Sequence, residues 1–167
     1  PTATSGDRVP VSNSLSEAIA STAPTGGTST SVEAESVVLR YYAERLSTVE
    51  INNTFYRMPS PELVQGWTEQ VPEAFVFVLK GPQRITHMKR LRDAGEPLRQ
   101  FLDTAAVLGR RLGPVFFQLP PNFKKDLGRL RDFLALLPQD PPAAFEFRHE
   151  SWFDAEVYDA LREKAAV

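Results

Sequence analysis

Cysteine is absent, and histidine and methionine occur twice each. Without thiols there can be no disulfide framework, no thiol nucleophile and no thiolate metal ligand. A chain that needs no disulfides is suited to a reducing compartment, and a cytoplasmic location is expected. Charge of neither sign prevails: nineteen Lys and Arg against twenty-one Asp and Glu leave a net charge of -2. No global field therefore favours nucleic acid or an anionic membrane, and any such preference must be local. Apolar runs stop well short of the roughly eighteen residues of a membrane span, and no basic stretch followed by an apolar one opens the chain. Neither a membrane contact nor a signal peptide is expected. Also missing are GxGxxG, P-loop and nucleophile-elbow motifs, which removes local support for dinucleotide, nucleoside-triphosphate and serine-hydrolase chemistry.

The 167 residues suit one domain, whose core can cover about two thirds of the unfolded surface. Residues 1–36 hold eight Ser, six Thr and three Gly, with few large apolar side chains besides Leu15 and Ile19. Such a segment cannot bury enough surface to offset its ordering entropy, so a disordered head is expected, with one helical turn near Ser14–Ala20. From Val37 to Val167 the texture changes. Apolar runs alternate with helical patterns across short Pro- or Gly-marked connections, the rhythm of about four βα units.

A helix over Glu33–Leu46 is expected to lead into a strand at Thr48–Asn52. Ser60 can cap a second helix with Pro61 at its first position. Further strands are expected at Phe75–Lys80, Val115–Leu119 and Ala144–Arg148. Between them, Pro97 opens a helix with Leu98, Phe101, Leu102, Ala105, Leu108 and Leu112 at helical spacing, and Gly113 stands where a left-handed cap is wanted. Lys124–Leu137 repeats the pattern. Ser151 and Asp154 have the spacing of a capping box for a last helix running to about Lys164, before Ala165–Val167 begins another apolar segment.

Side chains alternate across a strand, so parity separates two faces. Val49 and Ile51 oppose Glu50 and Asn52; Phe145 and Phe147 oppose Glu146 and Arg148; Lys80 ends the parity of Val76 and Val78; Gln118 shares that of Phe116. Polar groups thus fall on one parity at the C-terminal strand ends. In a parallel barrel the outer face packs on helices, while the inner face at the C-terminal mouth holds catalytic residues. One pocket could therefore hold Glu50, Asn52, Lys80, Gln118, Glu146 and Arg148. A bland alternative is a polar network in which the carboxylates and cations merely satisfy one another.

Around these positions stand Tyr41-Tyr42-Ala43, Thr48-Val49-Glu50-Ile51-Asn52-Asn53-Thr54-Phe55-Tyr56, Phe77-Val78-Leu79-Lys80, Ile85-Thr86-His87, Phe117-Gln118-Leu119-Pro120-Pro121 and Glu146-Phe147-Arg148-His149-Glu150-Ser151-Trp152. Over residues 40–167 the chain resembles the YecE-like family, also called domain of unknown function 72. That resemblance implies an α/β fold, a parallel TIM-type barrel, and no assigned activity. Family members begin with a Gly/Ser/Trp-rich first strand and continue through later βα units, neither of which is found here. A partial barrel, a fragment, is the expectation, with open sheet edges through which copies could associate.

Glu50 and Glu146 are the candidate acid/base pair, as in barrel glycosidases where two carboxylates flank a bond. His87 and His149 each adjoin a polar strand end; His87 is the better candidate proton carrier, being reinforced by the resemblance, with His149 assigned to substrate contact. Lys80 and Arg148 would bind charge, Asn52 and Gln118 would bind substrate, and Tyr56 and Trp152 could stack on it or equally anchor a loop. Phe55 shares the stacking possibility. The loop cations Arg84, Lys89, Arg90 and Arg92 suit a phosphate, or form a solvated turn balanced by Asp93 and Glu96. No cofactor and no metal are expected. The leading expectation is a hydrolase or lyase acting on an anionic, phosphate-bearing molecule; the alternatives are a non-catalytic nucleic-acid-binding module and an inactive fragment.

Overall fold

The computed structural model describes residues 39–167. The expected head and the first part of the helix expected over Glu33–Leu46 lie outside the described residues, which begin within a helical stretch at 39–43. Strand β1 (Thr48–Ile51) is followed by a four-residue helix α1 (Asn53–Tyr56) and by α2 (Pro61–Thr68). Strand β2 (Val76–Lys80) ends in a π-helical turn, Arg84–Met88. Helix α3 (Gly95–Ala105) tightens into a 3-10 segment, Ala106–Arg111, before β3 (Leu112–Gln118). Helix α4 (Leu127–Leu136), β4 (Ala143–Glu146), a 3-10 turn at Glu150–Trp152 and α5 (Ala155–Glu163) complete the order.

Local chemistry sets most of these boundaries. Ser60 accepts the Leu63 N–H at 3.3 Å ahead of Pro61, as the cap pattern requires. Two expectations are corrected. After this helix the residue with positive φ is Gly109, at φ 55, not Gly113. Gly113 lies inside β3, where a Cβ would come within 2.5 Å of Val76 Cγ1, so close packing between strands is what demands glycine there. The cap of α5 is Asp154, which accepts the Glu156 N–H at 2.9 Å, whereas Ser151 Oγ accepts the Lys125 N–H at 2.7 Å. Ser151 therefore ties two loops together instead of capping a helix.

All four strands are parallel and adjacent in chain order, β1-β2-β3-β4. Helices cover one face. There Phe117 of β3 meets Phe101 of α3 at 6.2 Å and Phe133 of α4 at 5.1 Å, and Trp67 of α2 stacks on Phe77 of β2. Val49, Ile51, Phe77, Leu79, Val115 and Phe117 are all buried on this side. The opposite face stays open, with Val76, Val78, Leu112, Phe116 and Ala144 half-buried. The sheet does not close on itself: no strand pairs with the outer edge of β1 among the described residues. At the other edge Val167 donates to Ala143 O at 3.0 Å and accepts from Phe145 N–H at 2.6 Å, so its backbone pairs with β4. No helix among the described residues is long and apolar enough to cross a membrane.

Phe117 joins two helices to the central sheet and has no exposed surface. Phe117→Ala is expected to remove about 3–5 kcal/mol of unfolding free energy in urea titrations, with Phe117→Leu losing much less.

Candidate functional site

Parallel strands end on one side of a sheet, and one parity of each faces away from the helices. Register places Glu50 beside Val78, Lys80 beside Phe116, and Gln118 beside Glu146. The four polar residues thus share the open face, with Arg148 just past the end of β4.

Their environments differ. Gln118 Nε2 donates to Glu146 Oε2 at 2.7 Å, and Arg148 Nε donates to Glu146 Oε1 at 2.6 Å. Burial tends to raise the Glu146 pKa, but these two hydrogen bonds, with the charges of Arg148 and Lys80, outweigh it and hold the carboxyl below its ordinary value. Glu50 moves the other way. Although much of the residue is open to solvent, the protein around its carboxyl displaces enough water to raise the pKa; the Lys80 charge opposes this and the Glu146 charge reinforces it. One carboxylate is clamped by two donors and its pKa is lowered; the other has no such donors and its pKa is raised.

Lys80 is 8% exposed and forms no ion pair among the described residues. Its ammonium lies 5.2 Å from the Phe55 ring centre and 5.8 Å from that of Phe116, where the π faces partly replace lost hydration. The bland network of mutually satisfied charges is therefore realised at Glu146 and Arg148 but not at Lys80 or Glu50. Phe55 occupies this position because Thr54 Oγ1, fully buried, lies 2.7 Å from Lys80 O and 2.9 Å from Ile51 O, fastening α1 over the ends of β1 and β2. Phe55 also meets His87 edge-on at 4.9 Å. In the π-helical turn, His87 Nδ1 lies 2.9 Å from Thr86 Oγ1, and burial, then the Lys80 and Arg148 charges, depress its pKa, leaving a neutral imidazole near neutral pH.

Asn52, half-buried at the end of β1, has a buried Oδ1 with no hydrogen-bond partner among the described residues. Tyr56 is 67% exposed and touches the Phe55 ring at 4.9 Å. Two candidates play local structural parts. Trp152 is wholly buried, donates to Phe123 O at 2.6 Å and stacks on Phe147, so it has no face to offer a ligand; the loop-anchor alternative describes it. His149 Nδ1 accepts the Ser151 N–H at 3.1 Å, bracing the turn after β4. The loop cations divide as well: Arg90 leans over Phe123 with a ring distance of 5.9 Å, and Arg84 and Arg92 are exposed. Among the described residues, no three His, Asp or Glu side chains gather as a metal centre would require.

Residues 28–167 match the family model described as "Protein of unknown function DUF72". The chain belongs to the DUF72 family. UPF0759 protein YecE of Escherichia coli K12 is 36% identical over 116 residues, which are 69% of this chain and 43% of that protein. UPF0759 protein YunF of Bacillus subtilis 168 is 28% identical over 130 residues, 72% of this chain and 46% of YunF. A crystal structure of a DUF72 family protein from Thermotoga maritima superposes with a TM-score of 0.68 at 30% identity, over 79% of this chain and 54% of that one. Its counterpart from Enterococcus faecalis gives 0.66 at 27% identity, over 77% and 56%. This DUF72 chain spans less than half the length of the curated relatives it matches.

The opposed carboxyl shifts give this DUF72 chain a signature in pH. Because the folded-state pKa of Glu50 is raised, the stability it contributes is present at acid pH and lost as pH rises through that pKa; for Glu146, whose pKa is lowered, stability is present at neutral pH and lost on acidification. Glu50→Gln should therefore raise the melting temperature at about pH 7, with the gain shrinking below about pH 4, while Glu146→Gln should lower it at about pH 7. Thermal melts across this range measure both.

Proposed function

We propose that the chain forms part of a TIM-type β/α barrel, within a domain running over residues 37–167, whose C-terminal mouth carries out acid–base chemistry on an anionic substrate. The reading is carried by one observation: two carboxyls displaced in opposite directions beside a lysine that has no carboxylate partner. A carboxyl that gives up its proton less readily than usual and one held ionised are what acid–base catalysis distributes between its acid and its electrostatic or basic partner. Glu50 is the proton carrier. Glu146, held by Arg148 and Gln118, is the fixed anion or base, and neutral His87 is a second group able to accept a proton. Lys80 receives the negative group of the substrate, with the exposed part of Arg148 nearby; Asn52 and Tyr56 border the same mouth. Hydrolysis of a phosphate-bearing ester, or elimination from a phosphate-bearing hydroxy compound, fits this set of groups. Parallel order in four consecutive strands and likeness to solved DUF72 proteins support the barrel reading.

Inorganic phosphate titrated into the protein should perturb the NMR signals of Lys80 Nζ and the His87 imidazole, and Lys80→Met should abolish binding while leaving the fold intact. On a panel of phosphate monoesters and phosphorylated hydroxy acids, Glu50→Gln should lower turnover about 10²- to 10⁴-fold. Turnover indifferent to Glu50→Gln and Glu146→Gln, together with salt-sensitive binding of arbitrary oligonucleotides, would instead identify a nucleic-acid-binding module.

The open face supports a further part of the same reading. Val76, Val78, Leu112 and Phe116 are half-buried where a closed barrel would enclose them, and the outer edge of β1 is unpaired among the described residues. Such surfaces associate. Sedimentation velocity should show concentration-dependent self-association, weakened by Val78→Lys.

A further inference from the structure

Thr86 and His87 are neighbours in the chain whose side chains meet. On an α-helix such neighbours point apart. In the wide π-helical turn at Arg84–Met88, closed by the Lys89 N–H donating to Arg84 O at 3.0 Å, Thr86 Oγ1 instead lies 2.9 Å from His87 Nδ1. Thr86 has no exposed surface, and Nδ1 is the one partner of its hydroxyl among the described residues. This fixes the direction of the bond. Were the ring to donate, the hydroxyl proton would be buried without an acceptor, and a buried donor left unmade costs more than the bond gains. The hydroxyl therefore donates and Nδ1 accepts. A neutral imidazole carries one N–H, which then sits on Nε2. Among the described residues Nε2 makes no hydrogen bond, and the buried side-chain polar atoms without a partner are Asn52 Oδ1 and Gln70 Oε1, so Nε2 is open to solvent.

We infer that Thr86 is a positioning residue that holds His87 as its Nε2–H tautomer, so that the open edge of the ring is a neutral hydrogen-bond donor for the anionic group of a ligand. Burial and the charges of Lys80 and Arg148 keep the ring neutral near neutral pH, as this tautomer needs. The ring packs at 4.9 Å against Phe55, whose centre also lies 5.2 Å from the Lys80 ammonium. A donor that carries no charge adds to that cation without repelling it. An incoming proton would have to enter at Nδ1 and turn the Thr86 hydroxyl away from its one acceptor, so donation is the easier task for this ring.

The tautomer depends on Thr86 alone, whereas the donor role rests on the anion-binding reading of this mouth, and two measurements separate them. In the intact protein labelled with nitrogen-15, long-range proton–nitrogen correlation at about pH 8, well above the ordinary histidine value of about 6.5, reads the ring directly, with its signals assigned by their loss in His87→Gln. One directly bonded proton on Nε2 and none on Nδ1 is expected. Thr86→Val should turn this single tautomer into a mixture, and Thr86→Ser, which keeps the hydroxyl, should preserve it. A proton bonded to Nδ1 in the wild-type protein, or a single tautomer that persists in Thr86→Val, would overturn the inference and leave the anion site standing. Inorganic phosphate then probes the donor. It should shift the Nε2–H proton downfield, and His87→Phe should weaken phosphate binding roughly three- to tenfold, the increment of one hydrogen bond, where Lys80→Met abolishes it. Equal phosphate affinity in the wild-type protein and in His87→Phe would overturn the donor role. Phosphate that binds neither would overturn that role together with the anion-binding reading.

Discussion

Everything on the open face depends on one constraint: the helices among the described residues pack on a single face of a parallel sheet. Phe101, Phe133 and Trp67 seal the side that carries Val49, Phe77 and Phe117. Side-chain alternation then leaves Glu50, Lys80, Gln118 and Glu146 on the other side, and parallel pairing lines up the strand ends where they sit. A one-residue slip of any strand would exchange a buried aromatic for a charge. The apolar contacts that stabilise the fold therefore also fix which charges meet.

Unequal partnering gives those charges distinct chemistry. Glu146 has two strong donors and stays ionised, while Glu50 has none, loses hydration and keeps its proton more readily. Lys80 lies between them electrically, its charge acting on both carboxyls and on His87, yet its contacts are aromatic.

Strand parity was readable in the sequence because alternation is a property of the strand itself and survives without knowledge of the neighbours. Hence the convergence of Glu50, Lys80, Gln118 and Glu146 could be anticipated, as could family membership from the motifs around them. Features set by packing could not. Thr54 and Phe55 sit in a four-residue helix too short for any periodic signal, and their importance comes from a hydrogen bond to a carbonyl twenty-six positions away. The glycine at 113 looked like a helix cap, but a strand neighbour demands it. Trp152 follows a polar strand end, and nothing in its spacing tells a ligand platform from the core anchor it is. The described sheet has four strands and does not close, and the chain spans less than half the length of the curated relatives it matches.

Glu50 and Glu146, two glutamates on one sheet face, hold protons with different strength. Carbon-13 titration of the Glu50 and Glu146 side-chain carboxyls by NMR measures this without a substrate. Glu50 is expected to titrate above the ordinary glutamate value and Glu146 below it, with the separation narrowing in Arg148→Ala. Coincident titration at the ordinary value, unchanged by Arg148→Ala, would contradict it.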